Sequence, residues 1–164
     1  LMEMLVVVLI IGILTAIAAP SWNAFVTGQR LKTVNDQVFQ AIKTAQAEAK
    51  KNKSDYLLEI DPAKDPPEYS IYKKDTDPAK KVWQKLNLEG SIKAGMIKIY
   101  SPNNTTPPNP KITFNHLGAT ENIPFQVVTY LNNSPTARQC VIVETQLGTM
   151  RIPKQPKTDC STPP

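Results

Sequence analysis

Few side chains in this sequence stand where they could do chemistry, and the first is Glu3. It lies just inside the apolar run LMEMLVVVLIIGILTAIAAP, and no further charge follows until Arg30. A carboxylate at the edge of hydrocarbon is costly unless a partner neutralises it, so Glu3 reads as a pairing group. The remaining candidates are a lone histidine, His116, and two late cysteines, Cys140 and Cys160. They cannot furnish the four ligands of a structural zinc site. His116 precedes a glycine turn, where hydrogen bonding within its own loop is the expectation. The carboxylates Glu59, Asp61 and Glu68 lie in charged surroundings without paired acid–base spacing, and the serines lie in prolyl or turn contexts. Phosphate-cradling loops and dinucleotide fingerprints are absent. The sequence therefore predicts no enzyme, no cofactor and no metal.

The elements that must position these residues follow from periodicity. The uncharged stretch from Met4 to Gln29 is long enough to cross a hydrocarbon core of about 30 Å as a helix. A secretory signal peptide would need a basic leader and a cleavage site, and a generic anchor leaves Glu3 unexplained. Beyond Pro20 the pattern becomes amphipathic: Leu31, Val34, Val38, Ala41, Ile42, Ala45 and Ala49 recur at three- and four-residue steps, forming one buried stripe. One helix of roughly 50 residues is expected, ending at Asn52 and the polar KNKSD stretch. Six basic residues against two acidic ones between Arg30 and Lys53 read as its solvated face. Its weak place is the stretch from Gly12 to Pro20, where glycine lowers helix propensity and proline removes a backbone bond.

From Tyr56 the period becomes that of strands: YLLEI, YSIYKK, KVWQKL, MIKIYS, KITFN, FQVVTYL, QCVIVE and TMRIP, separated by Asp-Pro, Pro-Pro and Asn-Asn punctuation. The segment SPNNTTPPNP, from Ser101 to Pro110, offers no apolar residue and is expected as an exposed loop. Sequons at Asn103, Asn104 and Asn132 mark candidate glycosylation positions. The fold class is α+β, a long N-terminal helix packed on an antiparallel β-rich head. Its segments are 1–28, the apolar half of the helix, 29–53, the amphipathic half, and 54–164, the head. If the apolar start means export, Cys140 and Cys160 form a disulfide. A loop of about 20 residues closed in this way stabilises by about 3 kcal/mol.

The acid at Glu3, the aliphatic run, the internal Gly12 and the closing Pro20 together resemble the mature N-terminus of type IV pilins and type II secretion pseudopilins. That family has its acid two residues later, after a methylated Phe, so two N-terminal residues and a short basic leader are expected to precede Leu1. KITFNHLG, FQVVTYL and QCVIVETQLGTMRI, with Phe114, Gly118, Gly148 and Arg151, resemble the end of the GspH/FimT group of minor pilins, as does the helix end QAIKTAQAEAKKNK. The resemblance implies a homo-oligomeric helical filament of bundled N-terminal helices with heads outward. The subunit would wait in the inner membrane, be processed by a prepilin peptidase, and be carried by assembly machinery to an extracellular fibre. There, Glu3 would pair with the N-terminus of a neighbouring subunit, and the Gly12–Pro20 stretch would extend locally.

Two alternatives stay open. One is a GspH/FimT-like minor pilin or pseudopilin that primes assembly in a secretion or DNA-uptake machine. In the other, the head binds nucleic acid: some FimT-like members carry arginines after the C-terminal glycine turn. Here Thr149 replaces the first of these, Arg151 remains, and Arg138, Lys154 and Lys157 lie nearby. Such cations make salt-sensitive phosphate contacts, but no aromatic residues interleave with them.

Overall fold

The computed structural model describes residues 2–86, 92–103 and 109–164, with the backbone alone for residues 18–21. The chain divides into two units, Leu1–Arg30 and Leu31–Pro164. Helix α1 runs from Met2 to Asn52. In the first unit its large apolar side chains, from Met2 through Ile17 to Trp22 and Phe25, are all at least 46% exposed. The helix is long and apolar enough to cross a membrane. The Thr15 hydroxyl donates to the Ile11 carbonyl at 2.7 Å and that of Thr27 to Asn23 at 2.8 Å, so both are satisfied within the helix. The backbone is helical through Gly12 and Pro20.

In the second unit the stripe Leu31, Val34, Val38, Ala41, Ile42, Ala45 and Ala49 is buried, as its spacing predicts. The helix closes at Lys53, whose φ of 48° is left-handed, while the Ser54 N–H reaches back to the Ala49 carbonyl at 3.2 Å. This is the six-to-one closure in which glycine is favoured.

Two antiparallel sheets cover the stripe. The first has the order β3-β2-β1-β5, with β1 at Tyr56–Asp61, β2 at Glu68–Lys73, β3 at Gln84–Lys85 and β5 at Lys111–Phe114. The second has the order β4-β6-β7-β8, with β4 at Ile97–Tyr100, β6 at Phe125–Leu131, β7 at Ser134–Val143 and β8 at Met150–Arg151. Strand alternation sends Leu58, Ile60, Ile112 and Phe114 from one sheet, and Ile97, Ile99, Val127, Val141 and Val143 from the other, into the core with the helix. The expected strand in KVWQKL shrinks to two residues. Of that run only Leu86 is buried while Val82 is exposed, so one anchor, and not an alternating face, holds it. A short helix unforeseen in the sequence, α2 at Pro156–Asp159, lies in the C-terminal segment.

The loop expectation for SPNNTTPPNP needs correction at its ends. Ser101 is buried and donates to the Gln126 carbonyl at 2.6 Å, and the Pro110 carbonyl accepts from the Ile60 N–H at 3.0 Å. Asn104 lies outside the described residues.

Candidate assembly surface

Glu3 stands in the first turn of α1, where the helix dipole favours a carboxylate. It is exposed, and among the described residues no hydrogen bond or ion pair engages it. A Cβ built on Gly12 would meet nothing within 4 Å, so nothing in the single chain asks for a glycine there. Pro20 is described by its helical backbone only.

The two glycine turns that the sequence singled out meet on the helix. Gly118 and Gly148 both have φ of 76°, the left-handed region that favours glycine. The Gln46 amide nitrogen donates to the Gly118 carbonyl at 2.8 Å and to the Leu147 carbonyl at 3.1 Å, and the Thr120 N–H donates to the Gln146 carbonyl at 2.7 Å. A Cβ on Gly148 would stand 2.3 Å from the Gln46 nitrogen and 2.9 Å from the Gly118 carbonyl oxygen. One helix side chain thus clasps both turns. Leu117 and Leu147, each preceding its glycine, are 70% and 79% exposed. Asn115, and not His116, organises the first turn: its carboxamide oxygen accepts from the Leu117 and Ala119 N–H groups at 2.9 and 3.0 Å.

Cys140 and Cys160 are joined by a disulfide. Both are buried, with Val128, Tyr100 and Ile142 around them, on the sheet face turned away from the helix. Gln126 ties the same segment down, donating to the Asp159 carbonyl at 3.2 Å and accepting from Ser161 at 2.6 Å. The cysteines themselves therefore form an internal staple.

The candidate phosphate-binding cations are partly spoken for. The Arg151 guanidinium bonds Glu144 and approaches Asp159 at 3.5 Å; the Glu144 hydrogen bond first, then its charge and that of Asp159, raise the Arg151 pKa. Arg138 donates to the Lys157 carbonyl at 2.7 Å. Lys154 and Lys157 are exposed. Among the sequons, the Asn103 side chain donates to the Pro124 carbonyl, and Asn132 is exposed beside the β6–β7 turn.

A site that sequence reading passed over is Glu59. It sits on the outer face of β1, buried, with Lys81 at 2.7 Å, the Tyr72 hydroxyl at 2.7 Å, the Asn109 amide at 2.9 Å and Lys111 at 3.5 Å. Lys81 also lies over the Tyr72 ring, 4.3 Å from its centre. Burial alone would raise the Glu59 pKa; donation by Lys81, Tyr72 and Asn109 and the charge of Lys111 outweigh it and bring it to about 2. The group is a fixed anion tying the loops of Lys81 and Asn109 and the strands β2 and β5 to β1, and it is ionised at neutral pH. Among the described residues no cluster of acids, histidines or cysteines could hold a metal.

No protein-family model matches the sequence, and no curated protein does. The structure is similar to the type IV minor pilin FimU of Pseudomonas aeruginosa, at 14% identity over 81% of this chain and 95% of that one, with a TM-score of 0.58. A second crystal form of FimU gives 0.53. It is also similar to the minor pseudopilin EpsH from the type 2 secretion system of Vibrio cholerae, at 16% identity over 76% of this chain and 96% of that one, with a TM-score of 0.51. The long N-terminal helix with an antiparallel β head is thus the pilin-type fold.

Proposed function

We propose that this chain is a subunit of a type IV pilus-like filament, assembling through its apolar N-terminal helix with the head outward. The observation that carries this is the helix itself: from Met2 to Phe25 its large apolar side chains are exposed. Such a surface needs lipid or other helices around it. The two surroundings map onto the two stages of the reading, an inner-membrane subunit and then an extracellular fibre, with a prepilin peptidase and assembly machinery acting between them. Gly12, where a Cβ would meet nothing within 4 Å in the single chain, suits the close approach of a neighbouring helix. In the packed fibre the Gly12–Pro20 stretch extends locally.

Glu3 supplies register. Inside the fibre its carboxylate pairs with the N-terminal ammonium of an adjacent subunit. Desolvating both charges offsets much of the attraction, so the pair mainly selects the one axial offset that satisfies it. Glu3→Ala is expected to reduce sheared-fibre yield while leaving the head folded; normal fibre yield would refute the pairing.

A second reading is favoured by the fold likeness to FimU and EpsH, both described as minor components: the chain enters the fibre in few copies, priming or capping it. Mass spectrometry on sheared fibres, with electron microscopy of the same preparation, separates the two. A chain that dominates the fibre mass is the main subunit, whereas a trace chain beside another pilin is the priming one. The nucleic-acid reading has no comparable support, because Arg151, its central residue, is held between Glu144 and Asp159.

A further inference from the structure

We propose that Trp22 and Phe25 form an aromatic anchor that holds α1 at the lipid–water interface, fixing the depth at which the unassembled subunit waits in the membrane. The proposal rests on the membrane stage of the reading above and adds the level at which the helix leaves lipid.

The pattern of α1 changes across its axis and not along it. Between Glu3 and Trp22 the polar side chains are those of Thr15 and Ser21, and the Thr15 hydroxyl is bonded to the Ile11 carbonyl. From Val6 to Ile11 the large apolar side chains are all at least 46% exposed. At about 100° per residue they point in every direction round the axis. Directly after Trp22 the composition turns: Asn23, Thr27, Gln29 and Arg30 take four of the next eight positions, and Arg30 is the first charge since Glu3. A packing partner on one side of a helix selects an apolar stripe along the axis, whereas a planar bilayer surface cuts the pattern across it. The boundary at Trp22 is of the second kind, and lipid is the partner that it fits.

The lengths agree. Glu3 and Trp22 stand roughly 28 Å apart along the helix at about 1.5 Å per residue, close to the thickness of about 30 Å of a hydrocarbon core. With Trp22 at one boundary, Glu3 falls at the other, where its carboxylate reaches water and headgroups. Arg30, roughly 12 Å beyond Trp22, lies past the hydrocarbon edge.

The two rings form one patch. They lie about 60° apart round the helix, are 68% and 60% exposed, and have centroids 6.3 Å apart. Helical side chains lean towards the N-terminus, so the Phe25 ring lies back over the turn that carries Trp22, on the lipid side of its own backbone. Among the described residues no hydrogen bond engages the indole N–H. At the interface it meets the oxygens of the lipid esters and phosphates while the body of the ring stays among acyl chains.

The test uses the full chain, reconstituted at high dilution in vesicles of phosphatidylcholine and phosphatidylglycerol. Trp22 and Trp83 are the two tryptophans, so Trp83→Phe leaves Trp22 as the sole emitter. Bromine near the ester end of the acyl chains is expected to quench it at least about twofold more than bromine near the chain ends. Ile13→Trp, midway between Glu3 and Trp22, should show the reverse order in a Trp22→Phe, Trp83→Phe background. Equal or stronger quenching of Trp22 by the deep bromine, or none by either lipid, would overturn the anchor. If Ile13→Trp is still quenched by the deep probe, only the anchor falls; if no lipid probe reaches position 13 either, the membrane stage falls with it.

Discussion

Replacing Glu59 by Gln removes one charge from the network on the outer face of β1 while keeping the shape of the side chain. Glu59 is bound by Lys81, Tyr72 and Asn109 and faces Lys111, and together these hold its pKa at about 2 against an ordinary 4.5. At about 1.4 kcal/mol per pKa unit, the shift sets a ceiling of roughly 3 kcal/mol on its stabilisation at neutral pH. Removing one member of a buried pair typically costs about 3–5 kcal/mol. Here the Lys81 side chain keeps 14% exposure and Lys111 keeps 45%, so both can recover some hydration and the loss is trimmed to about 2 kcal/mol. For a protein of this size that lowers Tm by roughly 4–8 °C. The sign follows from the depressed pKa: the contribution is fully present above pH 4.5 and is lost as pH falls towards 2. Denaturant unfolding of the full-length protein in detergent, for both forms from pH 7 to pH 2, tests this. The two stability curves should be separated at pH 7 and converge in acid. A separation below about 0.5 kcal/mol at pH 7, or one that persists unchanged at pH 2, would refute the reasoning.

Replacing Cys140 and Cys160 together by Ser should cost about 3 kcal/mol by the chain-entropy argument, read as a lower denaturation midpoint in non-reducing buffer; an unchanged midpoint would mean that the Gln126 and Ser161 contacts alone hold the segment. Gly148→Ala places a Cβ against Gln46 and the Gly118 carbonyl at a left-handed φ, and should destabilise by about 2–3 kcal/mol. In the Gln46→Ala background the same change should cost measurably less, and strict additivity in that double-mutant cycle would show that the clasp carries no energy.

The helix and its core were legible in the sequence because both are local. The stripe from Leu31 to Ala49 obeys a 3.6-residue period, and each of its members is buried. The strands from Tyr56 onward could be read where apolar residues alternate, as in YLLEI and FQVVTYL. Where a run offered a single anchor, as KVWQKL does with Leu86, length was overread. The Glu59 network was invisible for a different reason: its partners lie 13, 22 and 50 residues away, and no spacing rule joins them. The one available signal was an acid in the middle of a strand whose neighbours Leu58 and Ile60 are apolar. Gln46 gave no signal at all, since a glutamine in an amphipathic helix looks like any solvent-facing residue until two carbonyls are brought to it.

The buried staple between Cys140 and Cys160 also has a consequence for how the chain is made. The outer face carrying Tyr100, Val128 and Ile142 is completed by a segment synthesised some thirty residues after Val128. Until that segment is in place and the bond is closed, these side chains are bare on a sheet face, an apolar patch open to other chains. Completion of synthesis and closure of the Cys140–Cys160 bond are thereby both required before the head hides its last sticky face. Chains cut short before residue 160 lack the segment that completes this face and leave it uncovered.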